Sequence, residues 1–198
     1  MTERDGGIVL AGGRSSRFGR DKLAEPIDGR PLLHHAIGAV QAVADEVVVV
    51  VRPGHDQFLP EGVRLVHDAA PFEGPLAGLA AGLDALDPAI ERVVVVGGDM
   101  PTLQPAVLSR LIAALGGSVD LALLELHGEP VPLPLAVRRT AAIETVRGLL
   151  DHDERRLRAL PAVLRTSVVA EVTWQLDDPD GATLRDIDTP ADVPAGPD

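Results

Sequence analysis

Ile8-Val9-Leu10-Ala11-Gly12-Gly13-Arg14-Ser15-Ser16-Arg17-Phe18-Gly19-Arg20-Asp21-Lys22 reads as a short apolar strand that empties into a glycine-rich, cationic loop. Such a loop is suited to a polyphosphate. Gly12 and Gly13 let backbone N–H groups turn toward an anion with no Cβ in the way. Arg14, Arg17 and Lys22 add the positive charge that phosphate oxygens require. Two familiar phosphate loops are excluded. A P-loop places Lys and Ser/Thr directly after its second glycine, whereas Gly19 is followed by Arg20 and Asp21, and no hydroxyl follows Lys22. A dinucleotide fingerprint spaces its glycines as Gly-x-Gly-x-x-Gly, which Gly12, Gly13 and Gly19 do not match.

Working outward, apolar runs of strand length alternate with longer helical stretches. Strands are expected at Gly7–Ala11, Glu46–Val51, Val63–Val66, Arg92–Val96 and Val119–Leu124, the valine runs being those of strands buried on both faces. Helices are expected at Pro31–Val43, Leu76–Leu86, Pro105–Leu115, Thr140–Leu150 and Arg155–Leu160. Val131–Val137 reads as a strand whose flanking and internal prolines, Pro130, Pro132 and Pro134, confine it to an edge or an irregular crossing. Val168–Val172 and Leu184–Ile187 are the last strand candidates. The alternation implies an α/β protein, a three-layer α/β/α, Rossmann-like arrangement with a mostly parallel sheet. Ligands of such sheets bind beyond the carboxyl ends of the strands. The 198 residues fit one domain, 1–198, with a frayed tail at 191–198.

Composition narrows the function. A net charge of −12 opposes broad binding to nucleic acid or to an anionic membrane. Three Phe, one Trp and no Tyr leave few rings for stacking single-stranded bases. The absence of cysteine removes disulfides, thiolate metal sites and cysteine nucleophiles. No His pair has ligand spacing, and no Gly-x-Ser-x-Gly supports a hydrolase triad. No stretch is apolar enough to span a membrane, and Met1–Asp5 lacks an apolar signal core, so a soluble cytoplasmic protein is expected.

Two acidic constellations accompany the loop. Val93–Val96 ends in Gly97-Gly98-Asp99-Met100-Pro101, a strand terminus presenting one carboxylate. A strand-ending Asp often caps a turn. Paired with a polyphosphate loop, it suits a hard divalent cation bridging phosphates. Near the C-terminus, Arg185-Asp186-Ile187-Asp188-Thr189-Pro190-Ala191-Asp192 is expected to place Asp186 and Asp188 on one face of a strand. Thr189 and Asp192 then open a short helix in the manner of a capping box.

These motifs resemble, in order, those of the molybdenum cofactor guanylyltransferase (MobA) family, within the MobA-like NTP transferase superfamily. The likeness spans 8–35, 62–79 (with Gly74-Pro75-Leu76-Ala77-Gly78), 93–115, 153–160 and 184–193. The loop and the C-terminal motif define the wider fold, of the nucleotide-diphospho-sugar transferase type. The middle segments lean toward the molybdenum cofactor branch. The resemblance implies transfer of GMP from GTP to the terminal phosphate of molybdopterin, with release of pyrophosphate and dependence on Mg²⁺. It implies a nucleotide site at Leu10, Ala11, Gly12, Gly13, Lys22, Asp68 and Asp99, with Asp68 as a base or ribose contact. Lys22, Arg14, Arg17 and Asp99 carry the catalytic roles, and Asp99 and Asp188 the metal. Arg155 and Arg156, with Asp186 and Asp188, face the acceptor. Transient contacts with other proteins of molybdenum cofactor biosynthesis are expected. The same chemistry with another nucleotide or acceptor stays open: a molybdopterin cytidylyltransferase, a phospholactate guanylyltransferase or a sugar-phosphate nucleotidyltransferase. A non-catalytic nucleotide-binding domain is the remaining alternative, against which the retained Lys22, Asp99 and Asp188 speak.

Overall fold

Along the central strands, successive side chains enter two different cores. In β1 (Arg4–Ala11), Ile8 packs on one face of the sheet and Val9 on the other. In β4 (Glu46–Val51), Val47, Val49 and Val51 share one face, Val48 and Val50 the opposite one. β6 (Ile90–Gly97) divides Val94 and Val96 from Val93 and Val95 in the same way. A period of two with both faces apolar is what continuous valine runs specify. The computed structural model describes residues 3–12, 21–51, 59–60, 62–67 and 74–192.

With β5 (Arg64–His67), β7 (Leu121–Leu126), β8 (Glu129–Arg138) and β9 (Thr166–Val169), these strands form a seven-stranded sheet in the order β5-β4-β1-β6-β8-β7-β9. β8 alone runs antiparallel to its neighbours; β1, β4, β5 and β6, and likewise β7 and β9, pair in parallel. α1 (Leu32–Gln41) and α3 (Pro105–Ala113) cover one face, α2 (Pro75–Ala85) and α4 (Arg139–Asp151) the other. In α1, Leu33, Ala36, Ile37 and Val40 form the buried stripe at helical spacing. The small residues of α2 serve close packing: a Cβ on Gly82 would stand 2.8 Å from Ile8 Cγ2, and one on Gly78 would stand 3.3 Å from Leu10 Cδ2. In β1, a Cβ on Gly7 would overlap Val40 of α1. This is the expected three-layer, mostly parallel architecture.

Several local expectations need correction. Of the two expectations for the proline-bearing strand, the edge is overturned, since β8 is interior between β6 and β7, while its pairing with β7 is irregular, with a register shift between Leu123 and Glu125. Its proline-free half, Leu135–Arg138, pairs with β6, while Pro130, Pro132 and Pro134 lie outside that register, so no ladder donor toward β6 is lost. Val168–Val172 splits: β9 stops at Val169, and α5 (Glu171–Trp174) follows. Residues 155–160 are not a helix from Arg155; a 3₁₀ segment runs Leu157–Ala162. Leu184–Ile187 is not a strand. A 3₁₀ turn at Ala182–Leu184 leads into extended chain with no ladder, because β6 is already paired on both sides. Ala191 and Asp192 belong to a 3₁₀ turn, Pro190–Asp192, while 193–198 lie outside the described residues. An additional hairpin joins β2 (Pro26–Ile27) to β3 (Arg30–Pro31) through Asp28-Gly29, both at positive φ. Asp-Gly is a strong hairpin signal. Ile27 then forms a small apolar cluster with Leu32 and Ile187.

Candidate active site

The site is built at the carboxyl ends of β1 and β6. The Gly98 N–H donates to Leu10 O at 2.9 Å, which extends their pairing by one residue. A Cβ on Gly98 would stand 2.9 Å from Leu33 Cδ1 and 3.4 Å from the Ala11 Cα, so a side chain there would have to displace the end of Leu33 as the turn closes on β1. Asp99 Oδ1 lies 2.6 Å from where a Gly97 Cβ would be: the carboxylate folds back over Gly97. The Gly-Gly-Asp sequence is thus read directly by the geometry of the turn.

Lys22 opens a 3₁₀ turn, Lys22–Ala24, whose start is capped by Asp21 Oδ1 accepting from the Leu23 N–H at 3.2 Å. Leu23 packs against both neighbouring apolar clusters and fixes the turn. The Lys22 side chain, only 12% exposed, reaches the end of β6. Its ammonium donates to Asp99 Oδ2 at 2.8 Å, to the Ile187 carbonyl at 3.0 Å and to Asp188 Oδ1 at 3.3 Å. Two remote segments, around Asp99 and around Ile187-Asp188, meet on one ammonium, whose three donors match the three acceptors. The Ile187 N–H donates to Asp99 O at 3.0 Å and ties the C-terminal segment to the same turn.

The electrostatics follow. Burial pulls the Lys22 pKa down, but the hydrogen bond and charge of Asp99, then those of Asp188, outweigh it and hold the ammonium above its ordinary value. Asp186 shows the reverse pressure. Burial first, then the charges of Asp188 and Asp99, push its carboxyl up. The cluster therefore carries more negative than positive charge among the described residues and offers hard oxygen donors.

The other expected site residues fall elsewhere. Gly13, Arg14, Arg17 and Asp68 lie outside the described residues, whereas Leu10 and Ala11 end β1 next to the Gly98 turn and Gly12 follows them. Among the described residues the contacts of Arg155 and Arg156 lie away from Lys22 and its partners, and Arg155 abuts the start of α2. Arg155 O accepts from the Leu76 N–H at 3.3 Å, and a Cβ on Gly74, at φ +93°, would stand 2.8 Å from that oxygen. The Arg155 guanidinium is engaged by Leu150 O, Glu154 O and Asp153 Oδ1. Arg156 makes a two-point contact with Glu154 at 2.9 and 3.0 Å. With the Arg156 and Arg155 backbone N–H groups also donating, the Glu154 carboxyl is held down to about 2. One participant escapes sequence reading: the Ile187 carbonyl is backbone and leaves no residue-type signal.

A mostly parallel α/β/α sheet, with a lysine between carboxylates at the exits of its central strands, defines a nucleotide-handling transferase. The MobA-like NTP transferase domain model matches residues 7–168, and the chain belongs to that family; it is a nucleotidyltransferase. It is 34% identical over 193 residues to a probable molybdenum cofactor guanylyltransferase of Chloroflexus aggregans, covering 94% of this chain and 90% of the relative. Among solved structures, molybdopterin-guanine dinucleotide biosynthesis protein A of Archaeoglobus fulgidus superposes with a TM-score of 0.80 at 21% identity, over 95% of this chain and 94% of that one. The 4-diphosphocytidyl-2C-methyl-D-erythritolsynthase of Anaerococcus prevotii gives 0.73 at 17%, over 96% and 93%. At these identities the structural likenesses speak for the fold. Among the described residues no helix is long and apolar enough to cross a membrane.

Proposed function

We propose that the chain transfers GMP from GTP to the terminal phosphate of molybdopterin, releasing pyrophosphate. The observation that carries this reading is the Lys22 ammonium held 2.8 Å from Asp99 at the strand exits, in a chain similar over nearly its whole length to a probable molybdenum cofactor guanylyltransferase. An acceptor phosphate oxygen attacks the α-phosphorus of GTP; a P–O bond forms there, and the bond to the β-phosphate oxygen breaks. The attacking group is already an anion, so no strong general base is needed. Alignment and charge neutralisation carry the catalysis. Lys22 neutralises triphosphate charge, assisted by the amides of Gly12 and Gly13. Arg14 and Arg17 face the departing pyrophosphate. Asp68 contacts base or ribose, and Arg155 and Arg156, with Asp186, face the acceptor.

The donor set suits Mg²⁺. Among the described residues no cluster of three or more His, Cys, Asp or Glu side chains is disposed to hold a metal. Mg²⁺, however, commonly takes one or two protein carboxylates, with waters and substrate phosphates completing its octahedron. Asp99 and Asp188, which converge on one ammonium, would hold it. When bound it supplies Lewis-acid stabilisation of charge on the α-phosphate. The reaction needs only small-molecule substrates, in a cytoplasmic setting, with transient contacts to other proteins of the same biosynthesis and none to nucleic acid or membrane.

The deciding experiment supplies molybdopterin and each nucleoside triphosphate in turn, with Mg²⁺, and identifies the dinucleotide by mass. The guanine product formed in preference to the others is expected. A product formed only with CTP, or only with a sugar phosphate as acceptor, would replace this assignment.

A further inference from the structure

Residues 185–189 supply two of the three Lys22 partners, yet no sheet ladder holds them. Something else must, because a reaction centre tolerates only about 0.5 Å of play. On the upstream side lie Asp178 and Thr183, which with Asp120 make up the buried polar side chains among the described residues. Asp178 accepts from the Ala182 N–H at 3.0 Å and from the Thr183 N–H at 2.6 Å. Thr183 Oγ1 accepts from the Gln104 N–H at 3.1 Å, and Thr102 Oγ1 donates to Ala182 O at 2.6 Å. Thr102 and Gln104 belong to the loop that leaves Asp99. The turn before Asp188 is thereby latched to the loop after Asp99.

On the downstream side, Asp192 Oδ2 accepts from the Asp188 N–H at 3.2 Å, from the Thr189 N–H at 2.7 Å and from Thr189 Oγ1 at 2.9 Å. Between the two holds, the Ile187 side chain, 3% exposed, is the only one from 185–189 in an apolar core. Burying a carboxylate such as Asp178 costs several kcal/mol (roughly) before its hydrogen bonds offset it, and an apolar turn would avoid that cost. What the latch gives in return is registry of the 182–189 segment against the β6 exit.

We propose that Asp178 with Thr183, and Asp192, are positioning residues: two carboxylate-held turns bracketing 185–189, which set the Ile187 carbonyl and the Asp188 carboxylate against Lys22. The proposal rests on reading Lys22 and Asp188 as reaction-centre groups.

The test compares Thr183→Val, Thr183→Ser, Asp192→Ala and a remote control, Val146→Ala, which empties space in the opposite core. Amide hydrogen exchange over 185–189 is measured alongside kcat and KM for pyrophosphate release, with whichever nucleoside triphosphate the wild type uses. Thr183→Val and Asp192→Ala are expected to exchange at least ~tenfold faster over that segment, since local opening is sensitive to single hydrogen bonds. Their kcat is expected to fall about five- to tenfold with KM for the triphosphate within about twofold, the mark of lost alignment rather than lost binding. Thr183→Ser restores both, because the hydroxyl is kept. Val146→Ala lowers Tm and changes neither. Unchanged exchange overturns the proposal, as does normal kcat in a loosened variant or an equal kcat loss in the control. Turnover of another triphosphate in place of GTP removes the GTP assignment and leaves this comparison standing. The exchange measurement needs no substrate at all.

Discussion

Replacing Lys22 by methionine keeps a long side chain and deletes one ammonium. Its consequences can be worked from the contacts. Three hydrogen bonds go, two of them to carboxylates. The Asp99 side chain is 30% exposed, so its charged bond lies near the low end of the usual range, about 1.5 kcal/mol. The Asp188 side chain is 53% exposed, and water screens that pair to about 0.5 kcal/mol or less. The Ile187 carbonyl adds ~0.5–1 kcal/mol, while relief from burying the ammonium returns part of the total. A net loss of about 2 kcal/mol corresponds to a Tm lowered by roughly 4–8 °C for a chain of this length. The pH dependence has a definite sign. The Lys22 pKa is raised on folding, so its contribution is complete below the ordinary lysine value and fades as pH climbs through the raised one. The Tm gap between wild type and variant is expected to stay constant from about pH 6 to 9 and to close in stronger alkali. In a pyrophosphate-release assay the variant is expected to lose at least about tenfold in kcat, roughly 1.4 kcal/mol of barrier. A Tm within about 1 °C of wild type together with unaltered kcat would refute the reasoning, as would a gap that widens at high pH.

Other outcomes follow from single contacts. Asp99→Asn should lower kcat by at least about tenfold and raise the Mg²⁺ concentration needed for half-maximal rate; an unchanged Mg²⁺ titration removes Asp99 from the metal site. Glu154 titrates at about 2 because Arg156, by side chain and backbone N–H, and then the Arg155 N–H hold it ionised. Its contribution is therefore present above the ordinary glutamate value and lost as pH falls toward 2, so the stability gap between wild type and Glu154→Gln, followed by thermal melts, should shrink between pH 5 and 2.5 (approximately). Gly7→Ala drives a methyl into Val40 and should cost ~2–3 kcal/mol by denaturant unfolding, partly regained in the double variant with Val40→Ala. A neutral Gly7→Ala would mean that α1 sits farther from the sheet than described.

What could be read in advance divides along physical lines. The valine runs of β4 and β6 announced themselves because burial on both faces leaves no room for polar alternation. α1 was legible from Leu33, Ala36, Ile37 and Val40 at helical spacing. Lys22, Asp99 and Asp188 could be grouped because each belongs to a spaced motif, and the structure holds them within hydrogen-bonding reach. For β8, proline content points to an edge or an irregular crossing and cannot choose between them; the strand is interior because only its proline-free half, Leu135–Arg138, pairs with β6. Residues 184–187 carry the alternation of a strand without being one, because alternation alone says nothing about whether a neighbouring ladder is free. The Asp28-Gly29 hairpin has its own signal in the Asp-Gly pair, both residues of which take positive φ. The partners of Lys22 beyond the two carboxylates were out of reach, because a main-chain carbonyl has no letter of its own.

The anchoring of Ile187 between Ile27 and Leu32 separates the fate of the scaffold from that of the chemistry. Both large cores are closed by elements that precede Gly181, Leu184 aside. Removal of the residues after that glycine is expected to leave both large cores and Lys22 in place. Asp186 and Asp188 would go with that segment, and with them part of the negative charge set around Lys22. Under the proposed function, loss of catalysis and loss of shape would then have different origins, and a sample that passes every test of fold would still be inactive.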